Sequence, residues 1–385
     1  MHYRGCKPSS GVAALIVIAL AAIVPGRPSA AAEFCSAGVA GVATSCEAAL
    51  GLAQDLAQRR SDRTLGGDPT KDRARRLDGP QGADDAAPFA MSGDNDNVNF
   101  DTSLTQWGTA FSAADLESLK QAQTVIGGDA SLPKAGKPPA PKLDLWAQGR
   151  SQRFNEDGAK RGNALTTTLG ADYRWDRNLL IGGMVQLDDS HQTILASPDA
   201  TAGTAYLAGP YLAYRLSPNV MLDAKAAWGT ARDSAVSGAA NIDLATNRML
   251  SEARLTGQWG WNSWQLSQSG AITHFDETSH GIAGLRVSST DVTRFSVGPE
   301  LKRHIDTGNG ASIEPFAFFR SSLDLPESHW QTPVGQNTVG GGVLLAKPDK
   351  YKIRAAADFT ESMSGAEEVA TGKVSVSVPS SLFGF

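Results

Sequence analysis

The chain has 385 residues, of which 35 are Lys or Arg and 40 are Asp or Glu, and its net charge is −5. This acidic balance argues against a nucleic-acid-binding protein, which needs a basic surface. Eight Trp, six Tyr and thirteen Phe exclude a chain that is disordered throughout. Beyond residue 24 no run of about 18 apolar residues provides a membrane-spanning helix. A membrane β-barrel is not excluded, because its strands alternate apolar and polar residues and its mean hydropathy is that of a soluble protein. The mean hydropathy of this chain is −0.23.

The first 32 residues are typical of a secretory signal peptide. Arg4 and Lys7 precede the apolar stretch 12–24, and small residues follow it, which predicts cleavage near residues 30–32. An apolar stretch of this length is too short to span a bilayer as a helix, so a retained N-terminal anchor is the less favoured alternative. The chain is therefore predicted to be exported.

Two cysteines remain after the signal peptide. Cys35 and Cys46 form an even pair in an exported chain, and the bacterial periplasm is oxidising, so the sequence predicts a small disulfide loop. No His lies near either thiol, which argues against a metal site.

Residues 33–141 predict a partly helical, partly disordered N-terminal region. Residues 37–58 are a candidate helix, and the mixed charges of 59–76 indicate a solvated linker. A second candidate helix, at 113–126, ends at two glycines. The Pro-rich spacer 132–141 can form neither a helix nor a central strand, so it marks a domain boundary.

From residue 142 to the C-terminus the pattern has period two. In one segment Leu222, Ala224 and Ala226 share one face, while Asp223 and Lys225 share the other. Twelve such segments fit within 142–385, each long enough for a tilted membrane-spanning strand. Strands of soluble sandwiches are usually shorter.

The connections between these twelve strands alternate between short and long. The links 176–178 and 217–219 are short, whereas 194–201, 236–245 and 279–289 are longer. Short turns at one end and long loops at the other are typical of an outer-membrane barrel with its short turns in the periplasm. The predicted fold class is therefore all-β, a 12-stranded antiparallel transmembrane β-barrel at 142–385.

Five aromatic residues flank the short turns, where an interfacial girdle of such a barrel belongs. They are Trp175, Tyr214, Trp261, Trp264 and Tyr351.

Pairs of His and Asp two residues apart raise the question of catalysis, because this spacing places both side chains on one strand face. They are His274 with Asp276, His304 with Asp306, and Asp188 and Asp189 with His191. Charged residues at the ends of barrel strands are common, and no hydrolase or nucleotide-binding motif accompanies these pairs. The sequence therefore predicts no enzyme, no catalytic residues, no metal and no cofactor.

Several segments together resemble the C-terminal translocator domain of autotransporters. They are 146–149 (WAQG), 167–173 (TTLGADY), 179–186 (LLIGGMVQ), 209–211 (GPY) and the terminal Phe385. The resemblance covers residues 142–385. It implies that Phe383 and Phe385 in the last strand form the signal for the barrel-assembly machinery, and that a helix inside the pore, here the candidate at 113–126, links the barrel to an exported segment.

The predicted function is an outer-membrane barrel that anchors, displays or translocates its own short N-terminal segment at the cell surface. The alternative is a pore or channel with residues 33–141 as a plug or periplasmic tail. The expected partners are outer-membrane lipids, periplasmic chaperones and the barrel-assembly machinery, with no nucleic acid. The barrel is predicted to be monomeric and to lie in the bacterial outer membrane.

Overall fold

The computed structural model describes residues 40–66, 73, 77, 89–93, 97–103, 142–156, 160–195, 197–238, 240–280, 286–308, 310–326, 334–347, 351–362 and 368–377. They form one long helix, α1 (Ala40–Gly66), and a single antiparallel sheet. The strands are β1 (Phe89–Gly93), β2 (Asn97–Ser103), β3 (Leu143–Glu156), β4 (Lys160–Arg174), β5 (Leu179–Ile194), β6 (Ala200–Ser217), β7 (Val220–Ser237), β8 (Ala240–Trp261), β9 (Trp264–His280), β10 (Arg286–Arg303), β11 (Ile305–Asp306), β12 (Ser312–Pro326), β13 (Val334–Lys347), β14 (Tyr351–Ser362) and β15 (Glu368–Ser377).

The strand pairings run in a circle. Consecutive strands pair from β1 to β10, β12 pairs with β10, and the order continues through β13 and β14 to β15. β15 then pairs with β1, as in Ala90 opposite Ser377. The two-residue strand β11 continues the line of β10 and pairs with the start of β12. Every full strand thus has two neighbours, which confirms the predicted antiparallel barrel class.

The predicted strand number needs a correction. Twelve full strands do lie within 142–385, but the hairpin of β1 and β2 stands between the first and the last of them. Its strand β2 pairs with β3, from Asn97 opposite Gln152 to Ser103 opposite Trp146. The described ring therefore has fourteen full strands, two of which come from the region predicted to lie outside the barrel.

Burial alternates along the strands as the period-two pattern predicts. On β5, Gln186, Asp188 and Ser190 are buried toward the interior of the ring, here called the lumen. Val185 and Leu187 point outward and are 41% and 47% exposed. Large apolar side chains are exposed in the same way on most other strands, as expected for a face that contacts lipid.

The outward apolar residues form a band that ends before the strands do. On β5 the outward face is apolar over residues 179–187, about the length of a tilted membrane-spanning strand, and then turns polar at Asp189 and His191. On β9 the change comes between Ile272 and His274. The strands continue beyond the band at this end, here called the extended end, and turn back near the band at the other, the short-turn end.

The predicted long loops are mostly strand for this reason. The range 236–245 was predicted as a loop, but β7 runs to Ser237, β8 starts at Ala240, and Gly238 turns the chain with a φ of 54°. Sequence patterns underestimate these segments because outside an apolar band both faces of a strand are polar. In the described residues no helix is both long and apolar enough to cross a membrane.

The face assignment predicts opposite outcomes for two adjacent substitutions in β4. Leu169 points outward and is 47% exposed, whereas Thr168 points into the lumen between Gln148 and Gln186. Leu169→Arg should cost on the order of 2–4 kcal/mol of folding free energy in a bilayer, because an arginine on the lipid face loses its hydration. Thr168→Arg keeps its charge among polar groups and should cost much less.

The measurement is unfolding of the two variants by denaturant in lipid vesicles, with migration in SDS with and without boiling as a test of barrel closure. Equal destabilisation by both variants would contradict the assignment of the two faces.

Candidate functional site

Helix α1 lies inside the ring. Its main contacts are with strands β5 to β10, whose buried side chains face the lumen. Near its start, Ser45 Oγ is 3.1 Å from where a Cβ on Gly238 would stand, so the helix begins at the extended end. Leu77, further along the chain, packs in an apolar cluster with Trp146, which lies near the short-turn end of β3. The chain therefore passes down the lumen from the extended end to the short-turn end.

A layer of buried ion pairs joins the middle of α1 to the wall. Arg60 has no exposed surface, and its guanidinium donates to both carboxylate oxygens of Asp233 on β7, at 2.6 and 2.8 Å, and to Glu277 on β9. Arg248 on β8 donates to the second oxygen of Glu277 at 3.0 Å and to Asp188 on β5 at 3.3 Å. This ion-pair layer, formed by Arg60, Arg248, Asp188, Asp233 and Glu277, spans four strands and the helix.

The backbone and side chains of α1 are drawn into the same layer. Arg248 donates to Thr64 Oγ1 at 3.1 Å, and Thr64 in turn donates to the carbonyl of Arg60 at 2.9 Å. Arg63 is buried one turn below Arg60 and lies within electrostatic reach of Asp188. Arg60 and Arg248 are thus paired with Asp188, Asp233 and Glu277, which is the condition under which buried charges are tolerated.

Further polar contacts fix α1 on both sides of this layer. Toward the extended end, Asp55 accepts hydrogen bonds from Lys160 at 3.1 Å and Gln192 at 3.0 Å. Two turns further along the helix, Asp62 lies 3.7 Å from Arg294, which is itself held by Asp324 in a two-point contact of 2.6 and 2.7 Å. The helix is thereby fixed both in rotation and along its axis.

Apolar clusters lie above and below the ion-pair layer. The upper cluster joins one face of α1 to the extended ends of β7 and β8: Ala49, Leu50, Leu52, Ala53, Ala235, Ala240, Ile242 and Leu244. The lower cluster lies toward the short-turn end: Leu77, Trp146, Leu180, Met184, Leu207, Tyr211, Ala213, Met221, Ala227, Leu250 and Phe275, with Leu65 of α1 packed against it. The lumen-facing wall is therefore partly apolar, and α1 covers it.

Arg73 and Trp146 form contacts that hold the chain after α1 against the lumenal wall near the short-turn end. Arg73 is fully buried over the ring of Tyr211, 3.9 Å from its centroid, and lies 3.8 Å from Asp223. Trp146 donates to Tyr211 at 2.9 Å and to Asp172 at 3.1 Å. The chain beyond α1 thus stays anchored to the wall near the short turns.

The site differs from the sequence prediction in where the lumenal helix lies. The candidate at 113–126 falls outside the described residues, and the helix in the lumen is α1, which includes the candidate at 37–58 from Ala40 onward. The stretch 59–76 was predicted to be a solvated linker, and this is wrong for Arg60, Arg63 and Arg73, which are buried. Lumenal acids on the strands, such as Asp233 and Asp188, were the signal that could have indicated partners for these arginines.

The other residues singled out in the sequence are placed as follows. Cys46 forms a disulfide, while its predicted partner Cys35 and the terminal Phe383 and Phe385 lie outside the described residues. Trp175, Trp261 and Trp264 are exposed beside short turns, Tyr214 is partly exposed on the outward face, and Tyr351 is the first residue of β14. Their girdle role stays a prediction. Among the described residues, no group of three or more His, Cys, Asp or Glu is placed to hold a metal ion.

Comparison with solved structures finds autotransporter domains and a toluene transporter among other proteins. The β domain of the Bordetella autotransporter BrkA is 16% identical, with 62% of this chain and 99% of that chain covered and a TM-score of 0.44. The translocator domain of the autotransporter NalP from Neisseria meningitidis is 14% identical, with 70% and 96% covered and a TM-score of 0.40. The Pseudomonas putida toluene transporter TodX is 11% identical, with 75% and 86% covered and a TM-score of 0.36.

Similarities of this size do not carry the activity of any of these proteins over to this chain. No protein-family model matches the sequence, and no curated protein is significantly similar to it. The lumenal helix and its contacts therefore provide the basis for the proposed function.

The ion-pair layer predicts that Arg60 matters far more to stability than its neighbour. Arg60→Ala leaves Asp233 buried without its partner and removes one of the two arginines on Glu277, so it should cost about 3–5 kcal/mol. Arg59 is the matched control, because it pairs with Asp55 and lies over the ring of Phe154 while partly exposed. Arg59→Ala should cost less than about 1 kcal/mol.

The free energy of unfolding in detergent, with proteolysis of α1 in the folded protein, measures both effects. Similar values for the two variants would show that the helix is not held by the ion-pair layer.

Proposed function

We propose that this protein is an outer-membrane β-barrel of autotransporter type that retains its own N-terminal segment in the lumen, as an anchor that presents the start of that segment at the cell surface. The observation that carries the proposal is the position of α1, held inside the ring by Arg60 between Asp233 and Glu277.

The direction of the chain supports this function. Outer-membrane barrels place short turns in the periplasm and longer segments outside the cell. Helix α1 begins beside Gly238 at the extended end. Leu77, which precedes β1 in the chain, packs in the cluster of Trp146 near the short-turn end. A segment that enters the lumen at the cell surface and ends in the periplasm, immediately before the first strands, is what an autotransporter-type anchor requires.

The packing of α1 supports retention. A segment that only passes through a pore needs a polar, hydrated wall, whereas this wall presents Leu180, Leu207 and Phe275 toward the lumen, each almost fully buried. Removing α1 and the chain that follows it would expose this apolar surface to water, at roughly 25 cal/mol for each Å². The helix therefore behaves as part of the core of the barrel.

The remaining expectations belong to the same proposal. The apolar band would lie in outer-membrane lipid. Periplasmic chaperones would carry the chain to the barrel-assembly machinery, which would recognise Phe383 and Phe385 near the C-terminus. The barrel would act as a monomer.

A pore or channel with α1 as its plug is the second candidate. The main contacts of α1 are with β5 to β10, which form one side of the ring. A helix that packs against one wall can act as a plug beside a conducting path, so the two functions differ in whether solute passes.

The orientation can be tested with epitope tags on intact cells. A tag inserted at Gly238 should be bound by antibody on intact cells, because this turn belongs to the extended end. The same tag between Pro218 and Asn219, in a short turn, should be bound only after permeabilisation. Exposure of the second tag and protection of the first would reverse the proposed orientation and overturn surface presentation.

Conductance in planar bilayers separates an anchor from a channel. The anchor function predicts that the wild type conducts little and that Arg60→Ala opens frequent, larger currents as α1 loosens, whereas Arg59→Ala stays like the wild type. A large, steady conductance of the wild type that Arg60→Ala leaves unchanged would favour the channel.

A further inference from the structure

We propose that Ser251, His274 and Asp291 form an ester-hydrolysing site on the outward face of the barrel, and that the apolar groove beside them holds an acyl chain. This activity goes beyond the anchor function. It rests on the proposed membrane location only for the identity of its natural substrate, which would be a membrane lipid.

Strand register places the three side chains together. Ser251 on β8 lies directly opposite His274 on β9, and His274 lies directly opposite Thr293 on β10. Directly opposite residues in antiparallel strands have Cβ atoms about 4.5–5.5 Å apart. Ser251 and His274 point outward, because the neighbouring positions Glu252, Thr273 and Phe275 are buried toward the lumen. Asp291 shares this outward face, since it lies 3.6 Å from the His274 ring.

The contacts of the His274 ring define its two edges. Nδ1 lies 3.2 Å from Thr293 Oγ1 and 3.6 Å from Asp291 Oδ1, so this edge faces β10. In the proposed site the opposite edge of the ring, with Cδ2 and Nε2, faces Ser251, the residue directly across from His274 on β8. A hydroxyl on one side of an imidazole and a carboxylate on the other is the arrangement that activates a serine nucleophile.

The surroundings of His274 contain an arrangement that costs stability. Asp276 and Asp291 lie directly opposite each other on the outward face, and like charges at such positions repel. Asp276 accepts a hydrogen bond from Thr278 at 3.0 Å.

An apolar groove begins one same-face step from these residues. Ala253, Ile272 and Phe295 are the next residues on the same face from Ser251, His274 and Thr293, and they line a shallow, open groove of about 550 Å³ that continues to Gly270 and Leu323. The groove lies within the outward apolar band, whereas Ser251 and His274 lie at the edge where the band turns polar. An acyl chain in the groove would place its ester group at that edge.

The reaction is a two-step acyl transfer to water. Ser251 Oγ attacks the ester carbonyl carbon while His274 Nε2 takes its proton, and the alcohol then leaves with that proton as an acyl-serine ester forms. A water molecule attacks this ester, again giving its proton to His274, and the fatty acid leaves as Ser251 recovers its hydrogen. Asp291 contacts no substrate in this scheme and acts as a positioning residue that keeps Nε2 free to accept.

The test uses the purified full chain in detergent, with p-nitrophenyl esters of short and long acyl chains. The wild type should hydrolyse the long-chain ester. Ser251→Ala and His274→Asn should lower kcat by about 1000-fold or more, and Asp291→Asn should shift the pH profile of the reaction. A phosphonate ester probe should label the wild type covalently at Ser251, as located by mass spectrometry.

Two matched variants separate this site from general damage to the barrel. Ser321→Ala removes another hydroxyl that lines the groove but is separated from Ser251 by two intervening strands, β9 and β10, and it should leave the rate unchanged. Gly270→Leu partly fills the groove, where a Cβ would meet only the backbone oxygen of Ser296 at 3.9 Å. It should raise KM for the long-chain ester and spare the short-chain ester.

The outcomes are distinct from those of the anchor function. Heat-modifiable migration of each variant in SDS shows that the barrel has formed, whatever its activity. A folded wild type that neither hydrolyses ester nor reacts with the phosphonate would overturn the proposal, as would labelling at Thr293 or undiminished hydrolysis by Ser251→Ala.

Discussion

The contact between Arg60 and the carboxylates of Asp233 and Glu277 is the constraint on which the interior of this barrel depends. A guanidinium with no exposed surface stabilises the fold only while its partners stay in place, because each group would otherwise be a buried, unpaired charge. The partners lie on β7 and β9, so the contact fixes the helix relative to strands that are not adjacent. The position of the helix then determines which apolar lumenal residues are covered. The upper and lower apolar clusters, on the two sides of the ion-pair layer, form because the helix is held there.

The barrel wall could be predicted from sequence because its periodicity has a single physical cause. On β7, residues such as Leu222 and Asp223 alternate between an outward apolar face and an inward polar face, which is the pattern that contact with lipid on one side imposes. The hairpin of β1 and β2 was missed for the opposite reason. FAMSG has only five residues, and NVNFDTS alternates only at Val98 and Phe100, so neither segment is long enough to predict a membrane-spanning strand. Their pairing with β15 and β3 shows that they belong to the sheet.

The lumenal site could be predicted only in part. Helix-forming residues between Ala40 and Gln58 were visible, but Arg60 and Arg63 appear in a run of mixed charges that is more often solvated. Whether such a run is solvated or buried depends on acids far away in sequence, here 173 residues away for Asp233 and 217 for Glu277. The same holds for the outward pair of His274 and Asp291. The sequence indicates a partner for His274 at Asp276, two residues along the strand, whereas the cross-strand register brings Asp291 into contact with its ring.

The hairpin that joins the two ends of the ring has a consequence for how the molecule assembles. The strands that contact α1 are β5 to β10, which pair with one another in chain order and do not include the seam between β15 and β1. The helix can therefore dock on these strands before that seam forms, where it covers residues that would otherwise face water, such as Leu207 and Phe275. Because β1 follows α1 closely in the chain, the docked helix holds the hairpin near the seam that it has to fill. When β15 then pairs with β1, the barrel closes around a helix α1 that is already bound to the wall. In this order of assembly the lumen is never an empty channel.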